Sequence, residues 1–303
     1  MVASDKTGAV PAPALPTAGR AALLTLLAML AFAANSILCR LALTQSAIDP
    51  AGFTLVRIAS GAASLWLIAR VTGHAKAGGG SWRGAAALLA YAAAFSFAYL
   101  TMTAGTGALL LFGAVQATMI LAGLYRGERL VPLQWGGLAL ALGGLALLLA
   151  PGLSAPDPLG ALLMVAAGAA WGIYSLLGRA SRDPIATTTG NFLRAAPMAA
   201  VLALLAALAE PLSGGGLRWD QGGLIYAVLS GALASGVGYS IWYAALPALT
   251  AARAASVQLS VPVITALVAV LALGERITPV LAVASVAVLG GIALVIVGKS
   301  RRR

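Results

Sequence analysis

Residues 127–132 read Gly-Glu-Arg-Leu-Val-Pro, and residues 274–279 read Gly-Glu-Arg-Ile-Thr-Pro. The two copies begin 147 residues apart, and the same offset relates Thr103 to Thr250 without a gap. Agreement at a single offset over this length indicates that one structural unit occurs twice in the chain.

The amino-acid composition places this chain in a lipid bilayer. Hydrophobic residues make up 61% of its 303 residues and charged residues only 9%, and the mean hydropathy is +0.96. Soluble proteins carry about 25% charged residues, so no soluble core would bury this much apolar side chain. The apolar runs are long and do not alternate, which excludes a β-barrel and predicts an all-α integral membrane protein.

Ten apolar stretches are long enough to cross a membrane as helices, which requires about 20 residues each. They cover roughly residues 21–43, 51–70, 84–101, 105–125, 133–150, 159–178, 186–209, 221–244, 251–273 and 279–298. Five precede a Pro-rich connector and five follow it. Because five spans carry the chain from one face to the other, the sequence predicts ten transmembrane helices as two inverted five-helix repeats.

The predicted domain boundaries follow from this count. They are a disordered cytoplasmic tail at 1–20, a first repeat at 21–150, a linker at 151–158, a second repeat at 159–298 and a basic cytoplasmic tail at 299–303.

The distribution of Lys and Arg predicts the orientation of the spans. When Arg57 and Arg194, which lie inside spans, are left out, fourteen basic residues lie on one face and only Arg40, Arg218 and Arg276 on the other. Cytoplasmic loops carry the excess of Lys and Arg, so both termini are predicted to be cytoplasmic, with Glu128 inside and Glu275 outside. This bias accounts for the net charge of +11, and without a basic helix face interleaved with aromatics no nucleic-acid partner is expected.

Several of these features resemble the EamA family of the drug/metabolite transporter superfamily. They are the two five-span repeats, the Trp171-Gly172 pair, the Gly-Glu pairs 127–128 and 274–275 with a following proline, and the Gly-Gly pairs 143–144 and 290–291. The resemblance covers about residues 21–298 and implies export of amino acids or other metabolites across the bacterial inner membrane, with aromatic amino-acid exporters as the nearest type. Phe32-Ala33 departs from the Trp-Gly pattern in the first repeat, so no role is transferred to Phe32.

Aromatic side chains recur at helical spacing within three spans. They form one stripe each in the third, sixth and eighth spans: Tyr91, Phe95 and Tyr99; Trp171 and Tyr174; Tyr239, Trp242 and Tyr243. Inverted-repeat carriers bind substrate near the bilayer midplane between the repeats, so these stripes are predicted to line a substrate cavity with flat apolar walls. The alternative is packing between helices or a belt at the membrane interface.

Two amides, Asn35 and Gln116, are also candidate substrate ligands. Both lie deep in predicted spans, where an unpartnered amide is costly, so they must face protein or water. An amide can hold the ammonium or carboxylate group of a substrate. The alternative is a hydrogen bond between helices, which is worth only about 0.6 kcal/mol in membranes.

Two arginines, Arg57 and Arg194, lie about a third of the way into the second and seventh spans. A buried guanidinium binds a substrate carboxylate through two parallel hydrogen bonds, so both are candidate carboxylate ligands. The alternatives are snorkelling to the interface or pairing with Asp49 and Asp183.

The sequence leaves the coupling mechanism open. No Asp, Glu or His lies in the middle of a predicted span, so facilitated exchange or uniport is as consistent with the sequence as proton antiport. Glu128 and Glu275 lie at span ends beside Arg129 and Arg276, which favours a capping and topological role for these glutamates.

Candidate hinges lie in the eighth and ninth spans. Gly236 and Gly238 flank the aromatic stripe and permit close helix approach. Pro262 lacks an N–H, and its ring clashes with the preceding turn, which favours a kink. Its repeat partner is Val115, so the two halves need not bend alike.

The sequence therefore predicts a secondary transporter that exports amino acids, with aromatic or other apolar ones favoured, or related small metabolites, by alternating access between the repeats. A lipid flippase or a drug or nucleotide-sugar carrier of the same superfamily is the alternative. An enzyme is disfavoured because the spans hold neither a carboxylate pair nor a His/Asp set. No cofactor or metal is expected. The expected partners are a small-molecule substrate and the bilayer, with the oligomeric state open.

Overall fold

The computed structural model describes residues 17–73, 79–127, 129–150, 155–178, 181–213, 218–249 and 251–300. This part of the chain is helical and contains no strand. The helices are α1 Ala18–Gln45, α2 Pro50–Val71, α3 Trp82–Ala98, α4 Ala104–Tyr125, α5 Pro132–Leu149, α6 Pro158–Gly178, α7 Pro184–Ser213, α8 Gln221–Val228, α9 Gly238–Ala245, α10 Ala251–Gln258, α11 Ser260–Leu273 and α12 Pro279–Ser300. Glu128, Arg179, Thr250 and most of the predicted N-terminal tail lie outside the described residues.

These helices form the ten predicted spans. Within the described ranges, nine stretches are long and apolar enough to cross a membrane, with α8–α9 and α10–α11 each counting as one. The tenth is α3, which is slightly shorter at 17 residues. The predicted fold class, an all-α membrane protein with two inverted five-helix repeats, is confirmed.

The starts of the helices follow from local sequence. Five helices begin with proline at their first position, namely α2, α5, α6, α7 and α12. Proline suits this position because its fixed φ is already helical and the N–H it lacks would have no partner within the helix. Side-chain oxygens cap other first-turn N–H groups, as when Asp49 accepts from Gly52 at 2.8 Å and Ser81 accepts from Gly84 at 3.0 Å.

The packing of the spans follows the internal repeat. The fifth and tenth spans, α5 and α12, pack against each other, and so do the second and seventh, α2 and α7. The contact of α3 with α6 has its counterpart in the contact of α1 with the eighth span. Each of these contacts maps onto itself or onto another one when the halves are exchanged, as two inverted repeats require.

The eighth span is not a continuous α-helix. Residues Leu229–Val237 between α8 and α9 form a π-helical segment, a form that is rare and frequently marks functional sites. Glycines allow this span to approach its neighbours. A Cβ on Gly236 would lie 2.7 Å from the Ser64 hydroxyl, and one on Gly238 would lie 2.8 Å from the Ala31 methyl. The predicted close approach at these two glycines is therefore present, while their hinge role stays a prediction.

The ninth span is interrupted at Leu259, between α10 and α11. The interruption lies three residues before the buried Pro262, which cannot donate a hydrogen bond to the carbonyl of Gln258, four residues earlier. The helix is thus broken on the N-terminal side of the proline, where a proline disrupts the ladder. Hinge motion at Pro262 remains a prediction.

Gly231 in the π-helical segment offers a direct test of this packing. A Cβ there would overlap the carbonyl oxygen of Arg57 and the hydroxyl of Ser60, and overpacking of this kind costs about 1–3 kcal/mol. We expect Gly231→Ala to lower the thermal unfolding midpoint of the purified protein in detergent. Gly143→Ala is the matched control, because a Cβ at Gly143 meets nothing within 4 Å. Equal midpoints for the two variants would contradict the close approach of the second and eighth spans.

Candidate substrate-binding site

The aromatic stripes of the third, sixth and eighth spans meet between the two halves of the chain. Trp171 of α6 lies at the centre of the cluster. Its ring centroid is 4.8 Å from that of Tyr91, 5.3 Å from that of Tyr239 and 5.2 Å from that of Tyr174, on which it stacks. Residues from the first and second halves therefore share one set of ring contacts.

The third-span stripe continues away from Trp171 in the predicted order. The centroids of Tyr91 and Phe95 are 5.4 Å apart, and those of Phe95 and Tyr99 are 4.8 Å apart. Tyr99 is not within α3, as the predicted span 84–101 implied, but is its C-terminal cap at φ −73° and ψ −1°. This near-helical backbone keeps its ring on the same face of the span, where it is fully buried.

The eighth-span stripe joins the cluster through residues of other spans. Phe32 of α1 contacts both Tyr239 and Trp242 edge to face, with centroids 5.7 and 6.0 Å apart. The Tyr243 hydroxyl accepts a hydrogen bond from Thr188 at 3.1 Å, and Thr188 accepts one from Tyr174 at 3.5 Å. All eight predicted aromatic residues therefore belong to one connected cluster.

Arg57 of α2 lies inside this cluster. Its side chain is only 2% exposed, and its guanidinium carbon lies 5.1 Å from the Tyr91 ring centroid and 4.9 Å from that of Phe95. Its Nη2 donates to the Tyr91 hydroxyl at 2.9 Å, whereas its buried Nη1 has no hydrogen-bond partner. No carboxylate among the described residues pairs with it, so the predicted alternative of an ion pair with Asp49 is not realised.

Asn35 is placed beside Arg57 by a short hydrogen-bond chain. Its Nδ2 donates to the Tyr91 hydroxyl at 3.3 Å, and its Oδ1 accepts from Ser230 in the π-helical segment at 2.5 Å. The chain Arg57–Tyr91–Asn35–Ser230 thus joins four spans at the middle of the bundle. The Tyr91 oxygen accepts twice, which uses both acceptor positions of a phenol and leaves its O–H free to donate.

Arg194, the other candidate carboxylate ligand, is placed elsewhere. Its Nη1 donates to the carbonyls of Gly79 at 2.8 Å and Gly190 at 2.9 Å. Close by, the Asn191 side chain accepts from the backbone of Ser81 at 2.8 Å. These contacts tie α7 to the segment that precedes α3. A role for Arg194 in binding a carboxylate stays a prediction.

Gln116 does not join the cluster either. It lines a small crevice between α4, α5 and α12, together with Leu138 and Ile292. Sequence position alone made Asn35 and Gln116 equivalent candidates, but the rotation of each helix about its axis separates them.

Several residues of the site were not among the sequence-derived candidates: Phe32, Thr188, Phe192 and Ser230. Phe32 is the repeat counterpart of Trp171, a signal present in the sequence. Thr188 belongs to the polar run 187–191 early in the seventh span, which also marked it as unusual. Phe192, with its centroid 6.0 Å from that of Tyr239, and Ser230 carry no comparable signal, because single residues in apolar helices reveal their direction only in the folded protein.

One end of the bundle is closed by charged and backbone groups around Glu275. Both carboxylate oxygens accept from the backbone N–H of Ala104 at 2.9 Å, and one lies 3.6 Å from Nε of Arg40. Arg40 also donates to the Tyr99 carbonyl at 2.8 Å. Glu275 therefore caps α4 across the repeat interface, which confirms the predicted capping role. Glu128 lies outside the described residues.

Two aspartates bind the loops at that end to each other. Asp49 accepts from the backbone N–H of Arg218 at 2.9 Å, and Asp220 accepts from that of Ala47 at 3.1 Å. Each aspartate also caps its own helix, α2 or α8. The chain segments that lead into the second and eighth spans are thus held together.

The site combines one buried cation, rings from both halves and a surplus of hydrogen-bond donors. Such a site suits an apolar molecule that carries an anionic group. In this structure the rings pack against each other around Arg57, so the binding surface is closed.

A bundle of inverted five-span repeats with a polar and aromatic site between them defines the class of secondary membrane transporters. The model of the EamA-like transporter family matches residues 158–297. An uncharacterized protein of Pseudomonas aeruginosa is 58% identical over 278 residues, which cover 91% of this chain and 94% of that protein. The chain belongs to the EamA-like transporter family, as the motifs of the two repeats indicated.

More distant relatives agree with this assignment. A probable terminal-alkyne amino-acid exporter of Streptantibioticus cattleyicolor is 27% identical over 212 residues, which cover 70% of each protein. A solved crystal structure superimposes with a TM-score of 0.64 over 91% of this chain and 97% of that chain at 20% identity, which shows the same fold.

Tyr91→Phe tests the hydrogen-bond chain at the centre of the site. The substitution keeps the ring but removes the oxygen that accepts from Arg57 and Asn35, and unsatisfied buried donors cost about 1–3 kcal/mol. We expect a lower thermal unfolding midpoint than for Tyr226→Phe, which removes a phenolic hydroxyl outside the cluster. If the unfolding midpoint of Tyr91→Phe is equal to or higher than that of Tyr226→Phe, these hydrogen bonds do not form in the folded protein.

Proposed function

We propose that this transporter exports amino acids with apolar or aromatic side chains, or related small metabolites, across the bacterial inner membrane. The observation that carries the proposal is the position of Arg57, a buried guanidinium with an unpartnered Nη1 inside a cluster of aromatic rings. The guanidinium would bind the carboxylate of the substrate, and the rings would contact its apolar part.

The distribution of the site between the repeats supports alternating access as the mechanism. Arg57, Tyr91 and Phe95 belong to the first half, whereas Trp171 and Tyr239 belong to the second. A rocking motion of one half against the other would separate these rings and expose the guanidinium to one side at a time.

The contacts at the closed end around Arg40 and Glu275 would act as a gate during this motion. Spans of both halves are held together there by the Arg40–Glu275 ion pair and by the hydrogen bond from Ala104 to Glu275. Asp49 and Asp220 add hydrogen bonds between the loops. Release of substrate at this end, which the charge bias predicts to be external, would require these contacts to separate. The glycines Gly236 and Gly238 and the break before Pro262 are the proposed hinges.

The same charge bias supports the proposed orientation, with both termini in the cytoplasm. The distant relative named a probable terminal-alkyne amino-acid exporter supports amino acids as a substrate class. A lipid flippase is less well supported, because Arg57 is enclosed by rings and Arg194 already binds two backbone carbonyls.

The direct test is counterflow of labelled amino acids into proteoliposomes that contain the purified protein, with and without a pH gradient. We expect uptake of labelled phenylalanine or leucine driven by the same unlabelled compound inside. A pH gradient that stimulates net transport would indicate proton antiport. Absence of counterflow for every amino acid and every small carboxylic acid tried would overturn the proposed function.

Trp242→Ala tests the aromatic wall in the same assay. Removal of this ring eliminates the contact with Phe32 and a large apolar surface, and truncation of an anchoring aromatic residue costs about 2 kcal/mol or more of binding. We expect initial counterflow rates at subsaturating substrate to fall by about tenfold or more.

The matched control is Trp135→Ala, because Trp135 on α5 is 54% exposed and lies outside the cluster. The variant should transport as the unmodified protein does. If Trp242→Ala also transports normally while remaining folded, the aromatic cluster is not the substrate site.

A further inference from the structure

We propose that the site is selective for apolar carboxylates that lack an ammonium group, such as arylalkanoic or branched-chain acids, over the corresponding amino acids. This inference rests on the proposed function and narrows its substrate class. It follows from three features of the cluster around Arg57: its net charge, its balance of hydrogen-bond donors and acceptors, and the shape of its walls.

The charge of the site favours a substrate without an ammonium group. Arg57 is buried, and no carboxylate among the described residues pairs with it. A carboxylate without an ammonium group neutralises this cation, and the occupied site then carries no net charge in a low-dielectric region. A zwitterionic amino acid leaves the total charge at plus one and adds a second cation that must be desolvated. The neutral combination is therefore the more stable one.

The hydrogen-bonding groups of the site favour a carboxylate as well. Two hydrogen-bond donors beside the ring cluster have no acceptor in the described part of the chain: the Nη1 of Arg57 and the O–H of Tyr91, whose oxygen already accepts from Arg57 and Asn35. The Asn35 Oδ1 already accepts from Ser230 at 2.5 Å. A carboxylate supplies acceptors for both free donors. An ammonium group brings three more donors to a place where the Tyr91 oxygen and the Asn35 Oδ1 each already accept from a neighbouring donor.

The third feature is the shape of the walls. The rings of Tyr91 and Phe95 face the guanidinium, and Trp171 and Tyr239 lie next in the cluster. When these rings separate, they offer flat apolar surfaces to the body of the substrate. An aromatic or branched aliphatic body attached to a single carboxylate matches this arrangement.

Three compounds with the same phenylethyl skeleton separate the contributions of the two charged groups. Phenylalanine carries both groups, 3-phenylpropanoate carries only the carboxylate, and 2-phenylethylamine carries only the ammonium. Their binding to the purified full-length protein in lipid nanodiscs is measured by isothermal titration calorimetry, and their ability to drive counterflow is measured in proteoliposomes.

We expect 3-phenylpropanoate to bind about tenfold or more tightly than phenylalanine, the factor produced by about 1.4 kcal/mol, and 2-phenylethylamine not to bind. In Arg57→Gln this preference should disappear. The control is Arg70→Gln, which should retain the preference, because Arg70 is an exposed arginine of the same helix that lies over Trp66. Arg57→Lys keeps the charge and should retain a preference for the carboxylate, with weaker binding.

The outcomes distinguish this inference from the proposed function. Phenylalanine binding as tightly as 3-phenylpropanoate overturns the inference and leaves amino-acid export in place. Binding of 2-phenylethylamine at a comparable affinity overturns the carboxylate site itself. If Arg57→Gln does not fold, the comparison of the three compounds on the unmodified protein still decides the inference. If no amino acid and no small carboxylic acid drives counterflow, the proposed function is overturned instead.

Discussion

A guanidinium buried in a membrane-embedded bundle is the constraint on which the centre of this structure depends. An arginine within a transmembrane helix is costly, up to about 2.5–3.5 kcal/mol at the helix centre on insertion scales, so its surroundings must compensate. Around Arg57 they do so with a phenol oxygen and two ring faces, and no acid among the described residues pairs with it. The compensation is incomplete because Nη1 has no partner, and this makes the region suited to binding an anion.

The two halves have the same fold but contribute differently to the site. The first half supplies the cation, Arg57, and the two rings that face it, Tyr91 and Phe95, whereas the second half supplies most of the other rings of the cluster. Arg194, the arginine of the second half at a similar depth, is bound to backbone carbonyls. The eighth span, with its π-helical segment, has no counterpart in α3. The inverted repeats therefore provide a symmetric framework, and local differences make the proposed binding site asymmetric.

Sequence periodicity predicted the aromatic part of the site well, because rings at i, i+3 and i+4 must lie on one face of a helix. It did not distinguish Arg57 from Arg194 or Asn35 from Gln116. Their sequence contexts are similar, and each outcome depends on which neighbour the helix faces. The π-helical segment was also not predicted, since Leu229–Val237 reads as ordinary apolar helix. Its glycines, Gly231 and Gly236, fit against α2 only once the helices are packed.

The sequence by itself determined the membrane environment, the number of spans and the inversion of the repeats, because these follow from apolar length, loop position and a fixed offset between equivalent residues. The doubled Gly-Glu-Arg cassette belongs to this level, as it marks the ends of equivalent spans. Only the tertiary structure decided that Glu275 caps α4 across the repeat interface and that Arg57, Tyr91 and Asn35 meet at one point. The physical reason is that apolar spans satisfy their own backbone hydrogen bonds, so their rotation and pairing are set by side-chain packing between helices distant in sequence.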